Sequence, residues 1–170
     1  HRPDAGIILV EDRPVHFKSP ADAFAAGVFM VHQHFSLVDT MTVAENVVLG
    51  WSQNPTWRFD KRNVEEHVRA AGEKFDISVN PRALVSSLSV GEKQKVELLK
   101  ALYRGATTLI LDEPTTVLTP QEADQLFVSL KHMSAAGSAV IFISHKLDEV
   151  SEICDRVTVL RQGRTAGTSD

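Results

Sequence analysis

Cysteine, long apolar runs and basic clusters are scarce in this sequence of 170 residues, and each scarcity excludes a class of protein. Cys154 is the only cysteine, so no intrachain disulfide can form, and a reducing compartment such as the cytoplasm is indicated. No apolar run approaches the roughly 20 residues of a membrane-spanning helix, and His1 to Asp4 lack the layout of a secretion signal. Any link to a membrane is therefore expected to pass through a partner protein.

The charge balance argues against a protein that binds nucleic acid. The formal net charge is −4, the pI is near 6.0 and no long basic block occurs, so binding to nucleic acid is not expected. Hydrophobic residues make up 43% of the sequence and charged residues 24%, which is the balance of a globular domain with an ordinary core. The length suits one such domain, alone or with one insertion.

Hydrophobic periodicity predicts an α/β fold. Strands are expected where short apolar runs end at turn residues, and helices where apolar residues recur every three or four positions. The predicted strands cover 7–17 as a hairpin, 28–31, 108–112, 139–143 and 156–160 before a turn at Gln162-Gly163, and the predicted helices cover 21–26, 42–49, 61–75, 90–104, 120–136 and 146–153. The strand at 139–143 is expected to be buried, and the last helix to pack on it through Leu147, Val150 and Cys154. Residues 51–60 are expected to form a loop, with Trp57 packed on the next helix.

Three helix starts share the spacing of a capping box, namely Thr42 with Glu45, Ser89 with Glu92, and Thr119 with Glu122. In this motif the hydroxyl and the carboxylate each accept a hydrogen bond from the other residue's free backbone N–H. Helix capping is therefore the plain interpretation of all three hydroxyl residues, although Ser89 could serve a ligand as well.

An acidic pair ends the predicted central strand. Leu109 to Leu111 is apolar, Asp112 and Glu113 follow, and Pro114 stops the strand. Carboxylates at the end of a buried strand need a cation, a metal or a hydrogen-bond donor facing them. Mg²⁺ with a nucleotide is one such partner. A solvated junction between strand and turn explains this hexapeptide equally well, so both interpretations stay open at this point.

Polar residues also follow two other predicted strands. His32, Gln33 and His34 come after one strand and His145 after another, at the ends from which parallel sheets present ligand groups. His32 and His34 share a strand face, which suggests a metal site, but the sequence offers no third ligand nearby.

In their order along the chain, these segments resemble the motifs of the ATP-binding-cassette (ABC) ATPases, the motor subunits of ABC transporters. The matching motifs are the Q-loop glutamine at Gln33, the signature at Leu88 to Glu92, the Walker B strand at Leu109 to Asp112 with Glu113 after it, the D-loop at Thr116 to Thr119, and the switch histidine at His145. The resemblance implies an incomplete P-loop NTPase-like core formed by 1–35 and 89–170, with a helical subdomain inserted at 36–88.

The resemblance also implies roles for these residues. Asp112 and Gln33 would bind Mg²⁺, and Glu113 would orient the water that attacks ATP. Gln33 would also take part in catalysis, because its amide can reach either the metal or the water. His145 would donate a hydrogen bond to the γ-phosphate. Because the N-terminus of a helix favours anions, the γ-phosphate would also be bound by the signature residues Ser89, Val90, Gly91 and Glu92.

The partners implied by the resemblance are transmembrane permease subunits and a second ATP-binding cassette, with ATP and Mg²⁺ as cofactors. The strings around these motifs look like the first of two tandem cassettes in bacterial importers of nucleosides and simple sugars, which places the protein peripherally on the cytoplasmic face of the inner membrane. Phe35, Leu37 and Val38 are expected to be exposed and to contact the permease's coupling helix.

The sequence departs from the family's pattern in several places. No phosphate-binding loop of the form G-x-x-G-x-G-K-[ST] occurs, Thr119 stands where the D-loop has Asp, and Val90 and Glu92 stand where Gly and Gln are commoner. We expect the missing loop to be encoded ahead of His1, and the 170-residue chain alone to lack ATPase activity. A non-transport ABC protein and a catalytically inactive interaction domain remain as alternative interpretations.

Overall fold

A computed structural model describes residues 3–50 and 60–169, in which strands and helices alternate at both ends of the chain. The strands are β1 (Ile8–Val10), β2 (Arg13–Val15), β3 (Val28–Val31), β4 (Thr108–Asp112), β5 (Ala139–Ile143), β6 (Val157–Arg161) and β7 (Arg164–Ser169). The α-helices are α1 (Pro20–Ala25), α2 (Val43–Val48), α3 (Lys61–Lys74), α4 (Val90–Tyr103), α5 (Pro120–Ala135) and α6 (Leu147–Ile153), and a 3₁₀ turn covers Val85–Ser87.

The centre of the fold is a parallel sheet in the order β3-β4-β5. Val31 of β3 lies opposite Leu111 of β4, and Asp112 of β4 lies opposite Ile143 of β5. Since parallel strands all end at the same edge, the residues that follow these three strands are gathered at one edge of the sheet.

Two antiparallel hairpins flank this sheet in sequence. The first pairs β1 with β2, as the alternation at 7–17 predicts. The second pairs β6 with β7 around Gln162 and Gly163, which both have positive φ (50° and 73°) as a tight hairpin turn requires. The turn is predicted correctly from the sequence, but β7 is not. Arg164–Ser169 is exposed at every position and has no apolar alternation, so no strand is expected there.

The helices α2, α3 and α4 pack against one another and continue the core of the sheet. Val43, Val47, Val68 and Leu99 are completely buried and belong to the same apolar cluster as Leu109 and Leu111 of β4. Within the described part of 36–88, none of the three sheets has a strand, and a single bridge joins Thr42 to Leu84. The division of the chain into a core and a helical subdomain at 36–88 stays a prediction.

The prediction that 139–143 is a buried strand is wrong for one face of β5. Ile141 and Ile143 are 50% and 44% exposed, whereas Val140 and Phe142 pack on the core. Phe142 meets Phe127 of α5 edge to face, with ring centroids 6.0 Å apart. β5 is an edge strand of this sheet and α5 covers one of its faces, so only alternate side chains pack on the core.

Two other expectations about packing are also wrong. Leu147 does not pack on β5, since it is 77% exposed at the first turn of α6. Of the three residues expected to face a permease, Val38 is exposed, whereas Phe35 and Leu37 are half-buried and Leu37 packs on the core. The expected loop at 51–60, including the packing of Trp57, falls almost wholly outside the described residues.

Candidate functional site

Glu113 and His145 meet at the carboxyl edge of the sheet. Glu113 directly follows β4 and His145 follows β5 by two residues, and the Nδ1 atom of His145 lies 3.0 Å from Oε1 of Glu113. The His145 side chain is 69% exposed and the Glu113 side chain 34% exposed, so both reach the solvent. A carboxylate beside an imidazole provides a proton acceptor and a donor in adjacent positions.

The backbone of Glu113 has an uncommon conformation. Its φ is +46°, in the left-handed region that residues other than glycine rarely adopt. Its N–H donates to the carbonyl oxygen of Ile143 at 2.9 Å, which continues the pairing with β5 by one residue. The Thr116 hydroxyl donates to Oε2 of Glu113 at 3.2 Å, so both carboxylate oxygens have partners. Such backbone strain is common where a side chain has to be held in a set direction at a functional site.

Asp112 and Gln33 lie at the same edge, but nothing in the described part of the chain bonds to their side chains. The Asp112 carboxylate is half-buried at the last position of β4, and Gln33 is exposed, two residues after β3. Neither side chain forms a hydrogen bond or an ion pair with any described residue. The structure therefore brings together the ends of three strands. Among the side chains of Gln33, Asp112, Glu113 and His145, only those of Glu113 and His145 are hydrogen-bonded to each other.

The loop after Gln33 is fixed by two buried polar residues. Oε1 of Glu97 accepts a hydrogen bond from Ser36 N at 2.6 Å. Asn46, which is completely buried, accepts from Val38 N at 2.7 Å and donates to Val38 O at 3.1 Å. Since hydrogen bonds from both ends of a side chain hold a backbone in one position, the loop that carries Gln33 is anchored to α2 and α4.

The signature residues lie at the N-terminus of α4, and their predicted capping box is confirmed. Ser89 N donates to Oε2 of Glu92 at 2.8 Å and Glu92 N donates to Oγ of Ser89 at 3.2 Å. Val90 is exposed and Gly91 is buried. In the described chain no hydrogen bond or ion pair joins this helix start to Asp112, Glu113 or His145, so the predicted site residues form two separate groups.

A partly buried network, not predicted from the sequence, links the two loops that carry Glu113 and His145. Oε2 of Glu149, on α6, accepts hydrogen bonds from the hydroxyls of Thr115 at 2.6 Å and Ser144 at 3.3 Å, and Oε1 lies 2.9 Å from Nζ of Lys146. Burial raises the pKa of Glu149, but the hydrogen bonds from Lys146 and Thr115 outweigh it, and the pKa lies below its ordinary value. No period or spacing in the sequence predicts this network.

No grouping of three or more His, Cys, Asp or Glu side chains suited to a metal ion occurs within 3–50 and 60–169. His32 and His34 are both exposed and follow the end of β3. Over the same residues no helix combines the length and the apolarity needed to cross a bilayer.

Known proteins resemble the chain in sequence. The profile of the family described as "ABC transporter" matches residues 1–116. The guanosine import ATP-binding protein NupO of Bacillus subtilis is 45% identical over 170 residues, covering 100% of this chain and 33% of NupO. The nucleoside import ATP-binding protein NupA of Lactococcus lactis is 42% identical over 98% of this chain and 33% of NupA. The chain thus spans about a third of the length of these curated relatives.

Solved structures share the fold. The crystal structure of a nucleotide-free ATP-binding cassette from an ABC transporter is 22% identical with a TM-score of 0.84, and the match covers 99% of this chain and 70% of that one. A dimeric cassette in a post-hydrolysis state with ADP and Pi is 17% identical with a TM-score of 0.78, covering 99% of this chain and 75% of that one. The fold is therefore that of a P-loop NTPase-like cassette core, and by its sequence the chain belongs to the ABC transporter family.

Proposed function

We propose that this chain is part of the ATP-hydrolysing subunit of an ABC importer that takes up nucleosides or simple sugars. The observation that carries the proposal is the contact between Glu113 and His145 at the carboxyl edge of the parallel sheet, next to the free carboxylate of Asp112. Support for the solute class comes from relatives named for the import of guanosine, nucleosides and ribose.

The residues present suit Mg²⁺ and a polyphosphate. Asp112 is a half-buried carboxylate with no hydrogen-bond partner among the described residues, which is a fitting ligand for a hard cation. At the N-terminus of α4 the N–H of Gly91 donates to the carboxylate of Glu122 at 3.2 Å, so this donor already binds one anionic group and suits a phosphate oxygen as well. Bound magnesium neutralises the charge that develops on the phosphates during hydrolysis.

In this proposal each residue at the sheet edge acts on one partner. Asp112 and Gln33 hold the metal, and Glu113 orients the attacking water and accepts its proton through the carboxylate that faces His145. His145 donates a hydrogen bond to the γ-phosphate. The hydrogen bond from Thr116 fixes the direction of the Glu113 carboxylate, which makes the position of the water reproducible.

We further propose that two cassettes bind two ATP molecules between them, with Ser89, Val90, Gly91 and Glu92 of one facing the nucleotide of the other. Closure of this pair would drive transmembrane permease subunits, and the protein would act from the cytoplasmic face of the membrane. Residues 36–88 would form the helical subdomain that contacts the permease. Because the 170 residues include no phosphate-binding loop, the chain alone would not hydrolyse ATP.

The test uses the complete protein that carries this sequence, reconstituted with its permease in liposomes. Two quantities are measured, namely the magnesium-dependent ATPase activity and the uptake of radiolabelled nucleoside or ribose. Removing a general base typically lowers the rate about 10²- to 10⁴-fold, so E113Q should lower kcat by at least about 100-fold and stop uptake. Glu152→Gln is the matched control, because Glu152 is an exposed residue on α6.

Unchanged kcat in E113Q would refute the proposed role of Glu113. Absence of ATP hydrolysis in the wild-type complex, with the solute or without it, would favour the catalytically inactive interaction domain instead.

A further inference from the structure

The carboxylate of Glu122 joins the N-termini of two helices. Its Oε2 atom accepts hydrogen bonds from the N–H and the hydroxyl of Thr119, both at 3.0 Å, which caps α5. Its Oε1 atom points to the other helix, where it accepts a hydrogen bond from Gly91 N at 3.2 Å and lies 3.5 Å from the hydroxyl of Ser89. One side chain thus caps the N-terminus of α5 and also reaches the first turn of α4.

This contact depends on glycine at position 91. A Cβ atom there would lie 2.5 Å from Oε1 and 2.7 Å from Cδ of Glu122, so the carboxylate would have to move away from the helix start. Gly91 therefore gives close access to its backbone N–H, and in this structure the group with that access is the carboxylate of Glu122.

The donors that Glu122 engages are the ones an anion would need. Ser89 N already donates to Glu92, and Oγ of Ser89 accepts from Glu92 N. The Gly91 N–H and the Ser89 hydroxyl proton are left for an outside ligand, and both face the single oxygen Oε1. A negative charge at this position repels an incoming phosphate in addition to occupying its donors.

A buried amide lines the same cavity as the Glu122 carboxylate. Gln94 and Glu122 both line a cavity of about 70 Å³ between α4 and α5. Gln94 is 3% exposed, and within the described chain its Nε2 atom has no hydrogen-bond partner. An unsatisfied amide donor and the Glu122 carboxylate thus line one and the same cavity.

We propose that Glu122 sets the affinity of the α4 N-terminus for phosphate: its carboxylate occupies the Ser89 and Gly91 donors until the γ-phosphate of an ATP bound by a second cassette replaces it. The inference rests on the proposed function for the identity of the phosphate. The competition between carboxylate and phosphate is a property of this chain and is testable without ATP.

The experiment is a titration of the ¹⁵N-labelled chain with inorganic phosphate at constant ionic strength, followed at the Gly91 amide by NMR. In Glu122→Gln the charge is lost while an amide oxygen remains for the capping box. We expect saturable binding at Gly91 in E122Q that is about tenfold or more tighter than in the wild type. The affinity for phosphate at Gly91 should also rise in Glu122→Ala, so the result does not depend on one variant.

Glu45→Gln is the matched control. Glu45 caps α2 through Thr42 with nearly the same distances, 2.8 and 2.9 Å, and its pKa, like that of Glu122, is lowered by hydrogen bonds from the backbone and side chain of the N-cap threonine. Among the described residues, no hydrogen bond joins the carboxylate of Glu45 to Gly91 or Ser89. Phosphate binding in E45Q should equal that of the wild type.

In the complete protein E122Q should lower the KM for MgATP while E45Q leaves it unchanged. Equal phosphate affinity at Gly91 in E122Q, E122A and the wild type would overturn the inference. If the complete protein hydrolyses no ATP, the proposed function fails, and the phosphate titration still decides whether Glu122 competes for this position.

Discussion

At the scale of single residues, Glu149 determines how the loops of Glu113 and His145 sit relative to each other. Its side chain is 14% exposed, and it accepts hydrogen bonds from Thr115 of one loop and Ser144 of the other. Thr115 is 3% exposed, so its hydroxyl has little access to water when Glu149 is altered. The two loops that carry Glu113 and His145 are therefore linked by a residue that forms no hydrogen bond with either of those side chains.

Replacing Glu149 by Gln should destabilise the chain by about 1–3 kcal/mol, since hydrogen bonds to a charged group are lost and the Thr115 hydroxyl stays buried. The measurement is urea unfolding of the chain at neutral pH. Glu152→Gln on the same helix serves as the control, because Glu152 is exposed and an exposed substitution changes stability by no more than about 0.5 kcal/mol. Equal unfolding midpoints for E149Q and E152Q would contradict the structural role of Glu149.

The same variant has a predicted pH dependence. The pKa of Glu149 is lower in the folded chain than in the unfolded chain, so its contribution is complete above the unfolded pKa and is lost as the pH falls through the folded pKa. The difference in free energy of unfolding between the wild type and E149Q should therefore shrink on acidification below the ordinary glutamate range. A difference that stays constant down to the acid limit of the fold would contradict the pKa direction.

At the scale of secondary structure elements, the end of α3 depends on a close backbone approach. Gly72 is buried, and its carbonyl oxygen accepts a hydrogen bond from Ile77 N at 2.8 Å as the chain turns back. A Cβ atom at position 72 would lie 2.6 Å from the carbonyl oxygen of Ile77. The turn at 75–77 can therefore pack on the helix only where the helix has no side chain.

Gly72→Ala should destabilise the chain by about 1–3 kcal/mol. The clash involves backbone, which cannot move aside at low cost, and it outweighs the gain of up to about 1 kcal/mol in helix propensity. Thermal unfolding checks the prediction, with Glu73→Ala as the control because Glu73 is the exposed neighbour of Gly72 on the same helix. Stabilisation in G72A would show that the turn can shift.

Most of these elements were predictable from the sequence because local signals agreed with the tertiary structure. The three capping boxes form where Thr42, Ser89 and Thr119 predict them. The burial of β5 was not predictable, because an apolar run such as 139–143 reads the same whether one face or both faces are covered. The strand β7 was missed because its pairing with β6 relies on the turn at Gln162 and Gly163 and not on hydrophobic pattern.

The candidate site was predictable to a different depth. The sequence pattern puts Asp112 at the end of a predicted strand and Glu113, Gln33 and His145 just after strands, and the parallel register then brings all four to one edge. Contacts made by flexible side chains across helices, such as Glu122 with Gly91 or Glu149 with Thr115, have no period or spacing that announces them. They require the positions of α5 and α6 relative to the sheet.

At the scale of the whole molecule, the candidate site residues form two separate groups. The sheet edge carries Glu113 and His145 in contact, and the first turn of α4 carries Ser89 and Gly91 under the carboxylate of Glu122. In the described chain no hydrogen bond or ion pair connects the two groups. This separation is what a protein needs if one group acts on its own nucleotide and the other on the nucleotide of a second cassette.

The most direct test of this account is a structure of the complete protein carrying E113Q, determined with ATP and Mg²⁺. We expect the metal next to Asp112 and Gln33, the γ-phosphate within hydrogen-bond distance of His145, and residue 113 facing the water behind that phosphate. A nucleotide bound elsewhere, with these four residues in contact with neither the metal nor the phosphates, would contradict it.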